Sequence, residues 1–498
     1  MEHYTEIDKI KLAVYEEVAR LALQEQLRQR IDELPFLIVE REQPTSRCCV
    51  YHERAVVTER IRLAMGLDRR KRRETERLSE VVDQALALDR PEEPMIVVIE
   101  SACDACPIDR FMVTDACRNC MAHACKNVCP KQAIVIANQR AYIDQERCIE
   151  CGKCAQACPF NAIAEVVRPC MRACGIGAIQ GHRDRKTIID YRKCVSCGHC
   201  ARACPFGAIA DKSAIVQVIG LLKKEEPVYA AIAPSFIGQF GRGIVPEQLR
   251  AAFRQLGFAD MIEVAIGADL VALEEAHELI NEVPGQKPFA ITTCCPSFRT
   301  LVEKHHSKIK GNLFDSQSPM VLTGQLIKEK LPRARVVFIG PCVAKKVEAL
   351  QSPAREAIDA VLTFEEMMAI FKAGEINLAA MESCRGEWEA SRTGRIFARS
   401  GGVTEALIST VKKINPTKEV NPVRVEGIKN CDKLLRTAEA GRLTNNLVEG
   451  MACTGGCVGG PGTMIKEVVA TKLVNDYSQK SPYFYSLDNP LATKPKEK

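Results

Sequence analysis

Two stretches of this chain repeat one cysteine grammar, and that repetition limits what the chain can fold around. Cys148, Cys151, Cys154 and Cys158 are followed by Pro159 and the residues FNAI; Cys194, Cys197, Cys200 and Cys204 are followed by Pro205 and FGAI. The tight spacing lets three thiolates converge from a single loop on one face of a metal centre, while the proline stops the loop and starts the return. Of the 25 cysteines, 18 fall between Cys48 and Cys204. A disulfide framework belongs to small secreted domains. This chain has 498 residues, and its first twenty mix charges into apolar positions as a signal peptide does not. Metal ligation and a cytoplasmic location are therefore expected. No apolar run reaches the roughly 18 residues of a membrane span. The net charge of +6 suits acidic protein partners and is too small to argue for nucleic acid.

Both runs match the bacterial ferredoxin pattern, in which the fourth cysteine of each run ligates the other run's [4Fe–4S] cluster. The expected sets are Cys148, Cys151 and Cys154 with Cys204, and Cys194, Cys197 and Cys200 with Cys158. Structural zinc uses paired CxxC units rather than tandem four-cysteine runs ending in Cys-Pro. A looser run precedes them, Cys117, Cys120, Cys125 and Cys129 before Pro130 and KQAI, and Cys170 and Cys174 before GIGAI look like half of another. By the same swapped logic, Cys117, Cys120, Cys125 and Cys174 are assigned to a third cluster, and Cys103, Cys106, Cys129 and Cys170 to a fourth. Such a chain of clusters moves single electrons between the surface and something deeper.

Three texture zones follow from pattern: a mainly helical segment over 1–100, a ferredoxin-like cluster domain over 101–215, and an α/β domain over 226–498. The first has apolar residues at three- and four-residue steps. Its basic run RRKRRETER (69–77) reads as a solvated helix face or a docking patch, and Cys48 and Cys49 have no neighbouring ligand spacing. In the last zone strand-like runs such as VYAAIAPSF and ARVVFIGPC alternate with helical ones, as in a mainly parallel sheet. Ligands of such sheets bind beyond the carboxyl ends of the strands.

Three more cysteine motifs lie there: TTCCPSF (292–298), GPCVAKKVEA (340–349) and EGMACTGGCVGGPG (449–462). On their own they nominate Cys295, Cys342, Cys453 and Cys457 as ligands of one further cluster, with Gly455, Gly456, Gly459 and Gly460 allowing close backbone approach. Singly, each would read as a buried structural cysteine.

The three motifs resemble the signature sequences of [FeFe]-hydrogenases, TSCCPxW, MPCxxKxxE and ExMACPxGCxxGGG, over roughly 226–498. The resemblance implies an H-cluster: a [4Fe–4S] unit on Cys295, Cys342, Cys453 and Cys457, bridged through Cys457 to a two-iron subsite bearing CO, cyanide and azadithiolate. It implies that Lys345 hydrogen-bonds one cyanide, that Ala233, Pro234 and Ser235 contact the other, and that Met451 packs nearby. Cys294 would pass protons, and Glu275 and Glu278, three apart on GADLVALEEAHELI, would continue the path; on helical spacing alone they read as an exposed acidic face. The implied reaction is 2H⁺ + 2e⁻ ⇌ H₂, with a ferredoxin-like carrier as partner and maturation enzymes to supply the subsite. The alternatives are a hydrogen sensor and a non-catalytic iron–sulfur assembly protein. Departures mark a divergent branch: Gly340 for methionine, Phe298 for tryptophan, Met320 for glutamine, Thr454 and Pro461 in the third motif, and Phe314 where a path serine is expected, with Asp315, Ser316 or a water as substitutes.

Overall fold

The computed structural model describes residues 5–44, 47–67, 76–104, 106–107, 109–181 and 186–493; residues 69–75 of the basic run lie outside them. The chain begins with the helix Glu6–Leu23. Thr5 caps it, accepting from the Asp8 amide at 3.3 Å while the Asp8 carboxylate accepts from the Thr5 amide at 2.9 Å. Its apolar face (Val14, Tyr15, Val18, Ala19) is buried against the helices Ile215–Leu222 and Phe364–Ala373. A buried ionic node locks the three zones together. Lys346 Nζ donates to Asp211 Oδ2 at 2.6 Å, Glu366 Oε1 at 2.7 Å and the Lys212 carbonyl at 2.8 Å. Lys11 of the first helix joins it through Glu365 at 2.5 Å.

The cluster domain is one ferredoxin-type unit nested inside another. The outer unit pairs β1 (Ile96–Val98) antiparallel with β8 (Ile209–Asp211) and contains the hairpin β6 (Ile179–Gly181) and β7 (Thr187–Ile189). The inner unit pairs β2 (Phe111–Val113) antiparallel with β5 (Ile163–Glu165) around the hairpin β3 (Ile134–Ala137) and β4 (Arg140–Ile143). The inner unit is inserted between Cys106 and Cys170, so it splits the first cysteine run of the outer one. The outer sheet also reaches back to Ile96, ahead of the texture change at residue 101.

Beyond it lies the α/β domain, mixed α/β as the strand–helix alternation implies. One sheet has the order β10 (Asp260–Glu263), β9 (Val228–Ile232), β12 (Arg335–Gly340), β13 (Ala360–Thr363), all parallel. A second parallel sheet runs β11 (Ala290–Ile291), β15 (Leu447–Met451), β14 (Pro422–Glu426). All four strands of the first sheet are largely buried, and all but β10, which has Asp260 and Glu263 at its ends, are mainly apolar, as parallel strands covered on both faces must be. Among the described residues no helix is long and apolar enough to cross a membrane.

Candidate functional site

Each site motif follows the carboxyl end of a parallel strand. Ala233-Pro234-Ser235 follows β9, Cys294-Cys295 lies three residues past β11, Pro341-Cys342 follows β12 and Ala452-Cys453 follows β15. This is where open parallel sheets present their loops to ligands, and it gathers motifs from both sheets. Cys295, Cys342, Cys453 and Cys457 lie within electrostatic reach of one another. Burial together with the charges of the other thiols pushes Cys342 up to about 11 and Cys457 up to about 12, and holds Cys453 well above the thiol range. Thiols in such a place stay protonated unless a cation is present, and a coordinated metal deprotonates them outright.

Several features fit an anionic, iron-containing group here. Ser235 is fully buried and its Oγ has no hydrogen-bond partner, a costly arrangement unless something else supplies one. Lys345 is buried beside the thiols, its Nζ 2.8 Å from Ser318 Oγ and 2.7 Å from Glu348. Burial opposes its charge, yet Glu348 and the neighbouring cysteines hold the ammonium above the usual lysine range. Among the described residues no three His, Cys, Asp or Glu side chains close on a single ion. An all-thiol set of four cysteines would suit an iron–sulfur cluster, whose irons are held by thiolates.

Cys294 shares a buried cluster with Cys295, Met451, Leu322 and Phe397. Burial first, then the charges of Glu275 and Cys295, raise its thiol well above the ordinary value. Glu275 is not on an exposed face but fully buried on the helix Ala265–Glu282, and burial pushes its carboxyl up to about 8. Ser316 Oγ donates to its Oε1 at 2.9 Å, and its Oε2 has no partner. Glu278, one turn on, is taken up by Lys287 at 2.5 Å and by the Asp315 amide at 3.1 Å. Phe314 is buried among Leu279, Ala290 and Leu407. The two residues after it thus reach the two glutamates, Ser316 by its hydroxyl and Asp315 by its backbone.

Packing explains two of the departures. A Cβ on Gly450 would stand 2.1 Å from the ring of Phe298, so that ring lies flat on the glycine. A Cβ on Gly340 would meet the Phe338 ring at 2.7 Å and Ala233 at 2.9 Å. Met320 is fully buried and Met451 nearly so. Nothing in the structure explains Thr454.

The ferredoxin-type cysteines sort into four groups, and none has the fourth member that spacing suggested. Cys125 senses Cys158, Cys120 and Cys117. Cys148, Cys151 and Cys154 line one small hollow with Cys129. Cys106 senses Cys204, Cys170 and Cys103, and Cys200 senses Cys197, Cys194 and Cys174. The exchange of fourth cysteines happens inside each nested unit rather than between the two standard runs, because the β2–β5 pair ties run 117–129 to run 148–158. The β1–β8 pair ties the split run to 194–204. Cys204 is therefore removed from the Cys148 group, Cys158 from the Cys194 group, Cys174 from the Cys117 group, and Cys129 from the Cys103 group. Cys129, Cys158, Cys174 and Cys204 are nonetheless equivalent: each accepts the amide of an alanine four residues on, at 3.3 Å.

His199, which the spacing argument passed over, sits inside the run Cys197–Cys200 and places Nε2 3.4 Å from Cys453 Sγ. Pro461 packs there too, 2.9 Å from where a Cβ on Gly198 would be. The Cys174–Cys194–Cys197–Cys200 group is thus the one next to the C-terminal site, and Cys295 lies within electrostatic reach of Cys197. Cys431, also unassigned from sequence, donates to the Met451 carbonyl at 3.4 Å.

Residues 141–164 and 187–210 match the 4Fe-4S binding domain, and residues 226–461 match the iron only hydrogenase large subunit, C-terminal domain. Iron hydrogenase 1 of Clostridium pasteurianum is 30% identical over 68% of this chain and 68% of its own length. The periplasmic [Fe] hydrogenase large subunit of Nitratidesulfovibrio vulgaris is 28% identical over 64% of this chain and 85% of its own length. The cytosolic Fe-S cluster assembly factor NAR1 of Kluyveromyces lactis is 26% identical over 31% of this chain and 34% of its own. With ferredoxin-type 4Fe-4S units next to a buried four-cysteine site at the ends of two parallel sheets, this chain belongs to the [FeFe]-hydrogenase-related family.

Proposed function

We propose that the chain is a hydrogenase that interconverts protons, electrons and H₂, exchanging electrons with a ferredoxin-type carrier through its cluster relay. An H-cluster on Cys295, Cys342, Cys453 and Cys457, bound with the help of Lys345, Ser235, Pro234 and Met451, would supply the redox chemistry and the site of H₂ activation. The observation that carries this reading is the placement of Cys294. It lies beside Cys295 and within electrostatic reach of Glu275, which supports reading it as a proton carrier rather than a fifth ligand. An electron-transfer protein has no use for a proton donor at that point.

The chain's own residues then divide the work. Cys294 holds a proton at the buried end, Glu275 takes it up at a carboxyl whose high affinity suits neutral pH, and Glu278 hands on toward the half-buried Lys287. Cys174, Cys194, Cys197 and Cys200 would hold the relay's last cluster on the side of His199 and Cys453, where it would supply the electron transfer.

A second reading, an iron–sulfur assembly role without H₂ chemistry, is supported by the partial similarity to the yeast factor. Producing the chain together with the maturation enzymes and recording its infrared spectrum separates the two. Carbon monoxide and cyanide bands, with H₂ evolution from a reduced carrier, are expected. Their absence after a successful maturation of a control hydrogenase would sink the hydrogenase reading and leave the assembly role.

A further inference from the structure

Cys48 and Cys49 belong to none of the cysteine groups above, and their surroundings are those of a reactive thiol. Cys48 is exposed and Cys49 is the N-cap residue of the helix Val50–Ala64, where the positive end of the helix dipole favours a thiolate. Cys48 Sγ lies 3.3 Å from His52 Nδ1 and 3.9 Å from Cys49 Sγ. His52 Nε2 lies 2.5 Å from the Ser101 carbonyl oxygen, which can only accept. The proton of a neutral His52 therefore sits on Nε2, and Nδ1 is left as the acceptor facing Cys48. Nucleophile, base and orienting group stand in line.

The pair is held in place by Arg47, whose guanidinium donates to Asp104 Oδ1 at 3.0 Å, the Ala102 carbonyl at 3.3 Å and the Phe206 carbonyl at 2.7 Å. The neighbouring Cys49 thiol raises Cys48 above the usual thiol value, so a base in contact is what makes the thiolate accessible.

We propose that Cys48 and Cys49 form a dithiol site that reduces hydroperoxides, with Cys48 as the attacking sulfur, His52 as its base and Cys49 as the resolving thiol. This holds independently of the hydrogen chemistry. His52 takes the Cys48 proton, the thiolate attacks one peroxide oxygen, the O–O bond breaks, and the leaving oxygen departs as ROH with the proton from His52. The Cys49 sulfur then displaces hydroxide from the Cys48 sulfenic acid, forming the S–S bond, and the Cys49 proton leaves with it as water. The sum is two thiols and ROOH giving one disulfide, ROH and H₂O, a two-electron exchange.

The disulfide joins adjacent residues, whose Cα atoms are about 3.8 Å apart across a trans peptide. That is below the usual range of about 4.4–6.8 Å for disulfides, so the bond is strained and easily reduced. A strained disulfide forms only against a strong oxidant, which favours a peroxide over another disulfide as the substrate, and any small dithiol reverses it.

The test uses the full chain with its clusters assembled, exposed anaerobically to less than one equivalent of hydrogen peroxide, then alkylated and digested. The peptide Cys48–Arg54 should carry the Cys48–Cys49 disulfide before any other cysteine peptide is oxidised, and dithiothreitol should restore both thiols. Cys49→Ser should trap a sulfenic acid on Cys48, and both His52→Phe and the size-matched His52→Gln should slow the reaction at least tenfold. Oxidation no faster than in a synthetic peptide of the same sequence, a sulfenic acid on Cys49 in Cys48→Ser at the wild-type rate, or no effect of either His52 change would overturn the proposal.

Discussion

Ser316 Oγ donates to Glu275 Oε1 at 2.9 Å, and with that bond one oxygen of the carboxyl is held while Oε2 has no partner. The hydroxyl is itself 3.1 Å from Thr293 Oγ1, one residue before Cys294. Of the substitutes for the path group at Phe314, Ser316 is the one whose side chain reaches Glu275. Ser316→Ala should lower H₂ turnover about tenfold or more while leaving the infrared bands of the cofactor in place, since proton transfer steps commonly contribute about 10²–10⁴-fold. Unchanged turnover in the alanine variant would mean that Ser316 only braces the carboxyl.

The carboxyl of Glu275 has a stability signature that can be read without any cofactor. Its pKa is pushed up from 4.5 to about 8 by burial. The charged form is the disfavoured one, so the group costs nothing below pH 4.5, and stability is lost as pH rises from there through about 8. Even one unit of that shift is worth about 1.4 kcal/mol. Glu275→Gln should therefore stabilise the cofactor-free chain at pH 8 relative to pH 5, by at least about 1 kcal/mol in denaturant titrations run at both values. It should also cut turnover, because an amide cannot relay a proton.

Cys294 carries the hydrogenase reading, and its substitution is the sharper kinetic test. Cys294→Ser keeps the size but replaces the thiol with a hydroxyl that resists ionisation near neutral pH. Turnover should fall about 10²–10⁴-fold, the range of a lost general acid or base, with iron content unchanged. Loss of iron would instead make Cys294 a ligand.

How much of this was legible in the sequence differs from part to part. The four C-terminal ligand candidates fall at strand ends because strand–helix alternation and the cysteine motifs are both local signals. The equivalence of Cys129, Cys158, Cys174 and Cys204 is also written locally, in the alanine and isoleucine that follow each by the same interval. Their partners are not local. Which fourth cysteine joins which loop depends on β1 finding β8 across the whole inserted unit, and spacing carries no record of that pairing. Ser316 was open among three substitutes for the same reason: reach depends on how the segment ahead of the helix Pro319–Lys330 folds back on the helix Ala265–Glu282. His199 was missed because a histidine inside a ferredoxin run faces solvent or a neighbour according to what packs there.

The nesting makes a prediction that the linear reading contradicts. Cys158→Ser should remove the cluster held with Cys117, Cys120 and Cys125 and leave the one beside His199 intact. Cys174→Ser should do the reverse, and should uncouple the relay from the C-terminal site. Iron content should fall by one cluster in each, and electron paramagnetic resonance of the reduced protein tells which cluster is lost. If Cys158→Ser disturbed the signal of the cluster at Cys194, Cys197 and Cys200, the swap would run between the two standard runs after all.

A buried lysine ties the cluster domain to the α/β domain. Lys346 is nearly fully buried between Asp211 of β8 and Glu366 of the helix Phe364–Ala373, next to Lys345 of the site. Lys346→Met leaves two carboxylates buried without their cation, a change that typically costs about 3–5 kcal/mol. Burial alone would raise the Asp211 carboxyl, but Lys346 and Lys11 outweigh it and hold it below its ordinary 3.8. Its contribution is therefore present above pH 3.8 and lost as pH falls through the lower folded value. The methionine variant should lower the thermal midpoint, followed by bleaching of cluster absorbance, at pH 7. The deficit should narrow as the pH approaches 4, where the unpaired carboxylates can take up protons. A deficit equal at both values would mean that Lys346 acts through packing of its stem and not through its charge.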